Sequence, residues 1–242
     1  MFVFSKNKSK TMYCFSPEVM LATFIVEIVM AIYVFVRYRL SLSAKLVVAI
    51  LVLLATFQAV EFRICTGDFD LYLAKIGFVA ITLLPALGLH LISRIAKVRH
   101  LIKIGYFFAF LFIFHIIFSG GAISEAVCGG NYVIFETGQY LSFPYGLYYW
   151  ILLLVGIWVS IDGILFHRRK EREARSLFWM MVGYLSFMVP MMLLYTWDRN
   201  LLTAAASVMC GFAVIFALIL TFKVIDIYKQ EDKKEIKLPF NK

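Results

Sequence analysis

Seven stretches of this 242-residue chain are each long and apolar enough to cross a bilayer. They run at about Pro17–Arg37, Ala44–Ile64, Leu71–Ser93, Leu101–Phe118, Pro144–Leu165, Phe178–Trp197 and Leu201–Val224. Each is about 18–24 residues long, against the roughly 20 that a 30 Å hydrocarbon core asks of a helix. Hydrophobic residues make up 62% of the sequence, well above the roughly 45–50% of a soluble domain. The expected fold class is all-α and integral to a membrane: a seven-transmembrane helix bundle. Little chain is left for a soluble catalytic domain. Chemistry is then confined to the bundle interior, its short loops, or a partner.

Charge sets the expected orientation. Alternate connections place 18 Lys and Arg on one side, including Arg94, Lys97, Arg99, Lys103, the run Arg168–Arg175 and the C-terminal lysines. The other side has 6: Lys6, Lys8, Lys10, Arg63, Lys75 and Arg199. Basic residues gather in cytoplasmic loops, so the C-terminus is expected in the cytoplasm and, with seven spans, the N-terminus outside. The three N-terminal lysines pull weakly the other way. Residues 1–16 then form a short external segment, 17–227 the bundle with an outer loop at about 119–143, and 228–242 a short charged cytoplasmic tail. Met1–Phe4 is too short for a signal-peptide core, and no lipidation motif is seen at either end. The net charge of +9 follows from this insertion pattern. No basic run argues for nucleic acid, and membrane lipids are the expected surroundings.

The outer loop joining spans four and five carries Gly120, Gly121, Gly129, Gly130 and Gly138 around a β-prone stretch, Tyr132–Phe135. Loops this long are often functional. It reads either as a small hairpin lying over the outer mouth or as an unstructured connection. Cys14, Cys65 and Cys128 fall at or near the same side, where an oxidising exterior permits disulfides. A Cys65–Cys128 bridge would pin the loop over the bundle, Cys14 could replace either partner, or all three remain thiols. Cys210 lies within span seven.

Ionisable residues in hydrocarbon are costly and usually face a bundle interior or a water-filled cavity. Glu27 lies about 15 Å below the outer boundary at 1.5 Å per residue. An ionised carboxylate at that depth needs a partner or a proton. Glu61, Lys75 and His115 lie about 5–6 Å deep on spans two, three and four, and Gln58 sits one turn below Glu61. Glu27, Gln58, Glu61, Lys75 and His115 are therefore the candidate ligand-binding residues, converging on an outer polar pocket with Glu27 as its floor. The bland alternatives are an interfacial Glu61–Lys75 salt bridge and a His115 bonded to a backbone carbonyl. Asp162 reads as an inner salt bridge near His167 and Arg168. Pro85 and Pro190 interrupt spans three and six and can kink them. Gly183, Gly211 and Ala204–Ser207 permit close helix packing. Tyr145, Tyr148, Tyr149, Trp150, Tyr195 and Trp197 read as an outer aromatic belt.

Several chemistries lack their residues. Span seven has no Lys to carry a retinal Schiff base, and no His to build an intramembrane metal hydrolase. No G-x-S-x-G, P-loop, H-E-x-x-H or C-x-x-C pattern occurs. No catalytic residue, metal set or cofactor is expected.

Three segments between Phe57 and Tyr195 carry a resemblance. Glu61 is followed by Ala74-Lys75-Ile76-Gly77-Phe78 and Leu84-Pro85-Ala86-Leu87-Gly88-Leu89; Gly146-Leu147-Tyr148-Tyr149-Trp150 opens span five; Arg175-Ser176-Leu177 leads to Gly183-Tyr184 and Pro190. Together they resemble the seven-transmembrane sensor region at the N-terminus of some bacterial membrane histidine kinases. Cys14-Phe15-Ser16-Pro17 also resembles the start of small bacterial seven-helix membrane proteins. The resemblance implies a multi-pass, sensor-like protein of a bacterial inner membrane, with Glu61, Lys75 and Pro85 as family-like positions. Such sensors continue into cytoplasmic signalling domains, whereas this sequence stops at Lys242. The expected function is thus a receptor-like, ligand-binding bundle without an effector domain. It would take a small molecule or lipid from the outer side and address a separate cytoplasmic signalling protein. An intramembrane enzyme acting on a lipid or isoprenoid through Glu27, Glu61 and His115, or a small-solute transporter with Glu27 as a proton site, are the alternatives.

Overall fold

A computed structural model describes residues 16–38, 41–67, 70–128, 133–165, 171–197 and 205–225. Cys14, His167, Arg168 and the charged tail lie outside the described residues. The order is α1 (Pro17–Arg37), α2 (Leu42–Cys65), α3 (Leu71–Ile95), α4 (His100–Phe118), β1 (Ile123–Cys128), β2 (Val133–Thr137), α5 (Gln139–Leu165), α6 (Glu171–Trp197) and α7 (Ala205–Ile219). A π-helical turn, Leu220–Val224, continues α7. Among the described residues, seven helices are long and apolar enough to cross a membrane. A chain built this way reads as a multi-pass membrane protein.

Local chemistry starts and stops the helices. Pro17 occupies the first turn of α1, where its missing N–H costs nothing. Ser41 accepts from Ala44 N at 3.3 Å, and Asp70 Oδ1 from Tyr72 N at 2.9 Å, each capping free N–H groups of a first turn. At the far end of α3, Val98 N donates to Ser93 O at 2.9 Å while Lys97 takes φ 56°. That is a Schellman stop with a left-handed residue just past the helix. Lys97 also pairs with Glu173 of α6 at 2.8 Å.

Sequential neighbours pack together, α3 also touches α5 and α6, and α7 closes the bundle against α1 and α2. The helix α3 is the central post: 72% of its most apolar stretch is buried, against 17% for α4. The outward side of α4 exposes Phe107, Phe110, Leu111, Phe114 and Phe118, an apolar surface suited to lipid rather than water. Glycines let the interior close. A Cβ at Gly156 would lie 2.8 Å from the Tyr184 ring, and one at Gly88 would overlap the Tyr184 hydroxyl. Both α3 and α6 run on through Pro85 and Pro190. The turn before Pro85 is stitched to α5, because Tyr148 donates to Thr82 O at 2.7 Å and the Thr82 and Tyr145 hydroxyls meet at 3.1 Å.

Those two contacts revise the aromatic belt. Tyr145 and Tyr148 of α5 turn inward and stack with Phe112, while Tyr145 also meets Phe78 and Tyr149. Trp197 and Tyr195 stay exposed. The hydroxyls of Tyr145 and Tyr148 find partners on α3, which makes the interior a lower-cost place for them than sequence position suggests.

The loop of residues 119–143 forms an antiparallel hairpin, pairing Ala126 with Phe135 and Cys128 with Val133, with a bulge between Ile123 and Glu125. Its inward side buries Ile123, Val133 and Phe135. Phe135 packs on Phe57 of α2 and Phe78 of α3. A disulfide joins Cys65 at the end of α2 to Cys128 on β1. Gln139–Phe143, expected within the loop, instead begins α5.

Candidate functional site

The site begins with spacing on α2. Gln58 and Glu61 stand three residues apart, so they share a helix face, and that face is turned inward: each is 1% exposed. On α7, Ser207 and Gly211 are four apart, so they share a helix face, and together they line the crevice opposite Gln58 and Glu61. On α1, Val19, Met20 and Thr23 supply the third wall. These seven residues line a narrow crevice with room for about one water-sized group. Thr23 spends its hydroxyl proton on its own helix, donating to Met20 O at 2.9 Å.

Glu61 is held from one side only. The Ser207 hydroxyl donates to its carboxyl, and Ser207 Oγ accepts from Val133 N at 3.1 Å. The hairpin backbone, α7 and α2 are thereby joined in one short chain of hydrogen bonds. The other oxygen, Glu61 Oε1, has no hydrogen-bond partner, and neither does Gln58 Nε2. Glu27, 0% exposed, lies one turn beyond Thr23 on α1. Neither of its oxygens has a partner, and it lies within range of the charge of Glu61. No basic side chain among the described residues bonds to either carboxyl. Buried polar atoms in folded proteins are overwhelmingly hydrogen-bonded, so this local concentration of unmet bonding capacity sets the crevice apart.

Two expected members are elsewhere. Lys75 lies half-buried on α3, and its Nζ donates to Ile117 O of α4 at 3.1 Å. It caps the end of that helix, where a cation meets the negative end of the dipole, and forms no salt bridge with Glu61. His115 is exposed on α4 among outward-facing phenylalanines. Of the five expected residues, the structure brings together Gln58 and Glu61, with Glu27 behind them. Glu27 adjoins the crevice through Thr23 rather than lining it. The acid–base set of Glu27, Glu61 and His115 is not assembled. Ser207, Thr23 and Gly211 are members that sequence reasoning had placed only as packing residues or not at all.

Other buried polar groups are dispersed. Tyr184, Ser93, Ser176 and Thr221 each keep an unpartnered side-chain oxygen, and Cys210 is a free, buried thiol. Among the described residues, no group of three or more His, Cys, Asp or Glu is placed to hold a metal ion. No protein-family model matches the chain, and no curated protein matches it.

Proposed function

We propose that the chain is a multi-pass membrane receptor, a ligand-binding bundle with its hairpin end outside and its basic connections toward the cytoplasm. One observation carries the reading: Gln58 Nε2 and Glu61 Oε1 are buried, border the same crevice and lack partners. Leaving such a group unpaired costs about 1–3 kcal/mol. A fold that bears that cost twice at one place gains from it when a guest supplies the missing bonds. The charge distribution of the connections supports the orientation. The resemblance to sensor regions of bacterial histidine kinases supports a sensor-like role in a bacterial inner membrane, addressing a cytoplasmic signalling partner. Occupation of the crevice would bias the contacts of α1, α2 and α7, and the hydrogen bond to the hairpin with them.

The test is native mass spectrometry of the chain purified in a mild detergent, comparing wild type with Glu61→Gln and Lys75→Met. A small molecule retained by wild type and Lys75→Met, unchanged over time, and lost from Glu61→Gln is the expected result. Equal retention by all three removes this crevice as the site. A retained molecule that is converted during incubation replaces the receptor by an enzyme.

A further inference from the structure

The geometry points to a primary ammonium group as what the crevice receives, carried by a small alkylamine or by the ethanolamine headgroup of a lipid. This rests on the receptor reading above and gives its ligand a chemistry. Size comes first. The crevice between α1, α2 and α7 has room for about one water-sized group, which an –NH3+ fills and a trimethylammonium overfills. Charge comes second. Two carboxyls bear on the place, and no basic side chain among the described residues bonds to either.

Hydrogen-bonding capacity narrows the choice further. An ammonium offers three donors and no acceptor. Glu61 Oε1 is an unpartnered acceptor in the wall, and the two Glu27 oxygens are unpartnered acceptors one turn behind Thr23. Turned end for end, the Gln58 amide places its carbonyl oxygen where the unpartnered Nε2 stands, so that the ammonium meets a second acceptor at the wall rather than a donor. The apolar side chains of Val19 and Met20 suit the methylene next to the nitrogen. A calcium-like ion would ask for six or more oxygen ligands, and the acidic groups for that are not gathered here. A neutral hydroxyl would satisfy Gln58 and leave both carboxyls without a counter-charge.

The experiment uses the full chain in two arms. In detergent, calorimetric titration compares butylammonium with butyltrimethylammonium chloride at one ionic strength, for wild type, Glu61→Gln and Lys75→Met. In nanodiscs, native mass spectrometry compares retention of phosphatidylethanolamine with phosphatidylcholine for the same three proteins. We expect a preference for the unmethylated group of about tenfold or more. Glu61→Gln should weaken it by about tenfold or more, since a hydrogen bond to a charged group is lost, and Lys75→Met should leave it unchanged. Preference in the first arm assigns a soluble amine; preference confined to the second assigns the lipid headgroup.

Equal binding of methylated and unmethylated ammonium, indifference to Glu61→Gln, or no binding in either arm overturns the proposal. Should Glu61→Gln lose its helical circular dichroism, Glu27→Gln takes its place with the same expectation. A Glu61-dependent molecule still found by the mass spectrometry of the preceding section would then leave the receptor reading standing with a different ligand.

Discussion

Glu27 is fully buried on α1 with both carboxyl oxygens unpartnered, so its replacement by Met, similar in length and volume, tests what the residue is for. If Glu27 serves a guest, its burial is a standing cost to the empty fold. An unsatisfied buried polar group costs about 1–3 kcal/mol. Glu27→Met should therefore stabilise the empty bundle by about 2 kcal/mol, which for a chain of this size is a rise in Tm of about 4–8 °C. If instead Glu27 were one half of a structural ion pair, removing it would strand its partner and destabilise by about 3–5 kcal/mol. The two accounts differ in sign. Thermal unfolding followed by circular dichroism in a mild detergent, with a denaturant titration as a second probe, reads that sign. A Tm lowered by several degrees, with unchanged helix content at 20 °C, would refute the reasoning.

Two further outcomes follow from the packing. Gly88→Ala should destabilise by about 1–3 kcal/mol because its Cβ would overlap the Tyr184 hydroxyl; Tyr184→Phe, which removes a buried, unpartnered hydroxyl, should stabilise by about 1 kcal/mol alone and restore most of the loss in the double variant, as unfolding midpoints will show. Replacing both Cys65 and Cys128 by Ser opens a link across 63 residues and should cost up to about 4 kcal/mol by the loop-entropy relation, with faster amide exchange at Val133 as the local readout.

The spans were legible because hydrocarbon thickness imposes a length, and length is written directly in apolar runs. The structure gives α1 the expected bounds and moves the others mostly at their ends. The described part of α6 begins at Glu171, seven residues before Phe178, and carries Glu171 and Glu173 in its first turn, where acidic residues suit a helix whether or not they suit a hydrocarbon span. The hairpin was half-legible: Tyr132–Phe135 signalled a strand, but pairing depended on the docking of Phe135 against Phe57 and Phe78. The site was legible in depth and not in direction. Rise per residue set Glu61, Lys75 and His115 at one level, yet only Glu61 faces inward. Span four is apolar and aromatic all round, so nothing in His100–Phe118 told which side His115 would take. Lys75 follows the buried Ala74 by one residue, a step of about 100° that carries it off the core side. Ser207 carried a signal in its spacing from Gly211, but two small residues four apart read first as packing.

The hairpin is fastened at two places beside the crevice. Cys65, bridged to Cys128, follows Glu61 by one turn of α2, and Val133 holds Ser207. A cover bolted on both strands does not swing open as a flap. A guest of the proposed receptor would then have to enter on the flank, past Val19, Met20 and Thr23 of α1, a helix with only 28% of its most apolar stretch buried. On that proposal the width of the threshold would be set by the spacing of α1 from α7, and a molecule dissolved among lipid tails would reach it before one arriving from water.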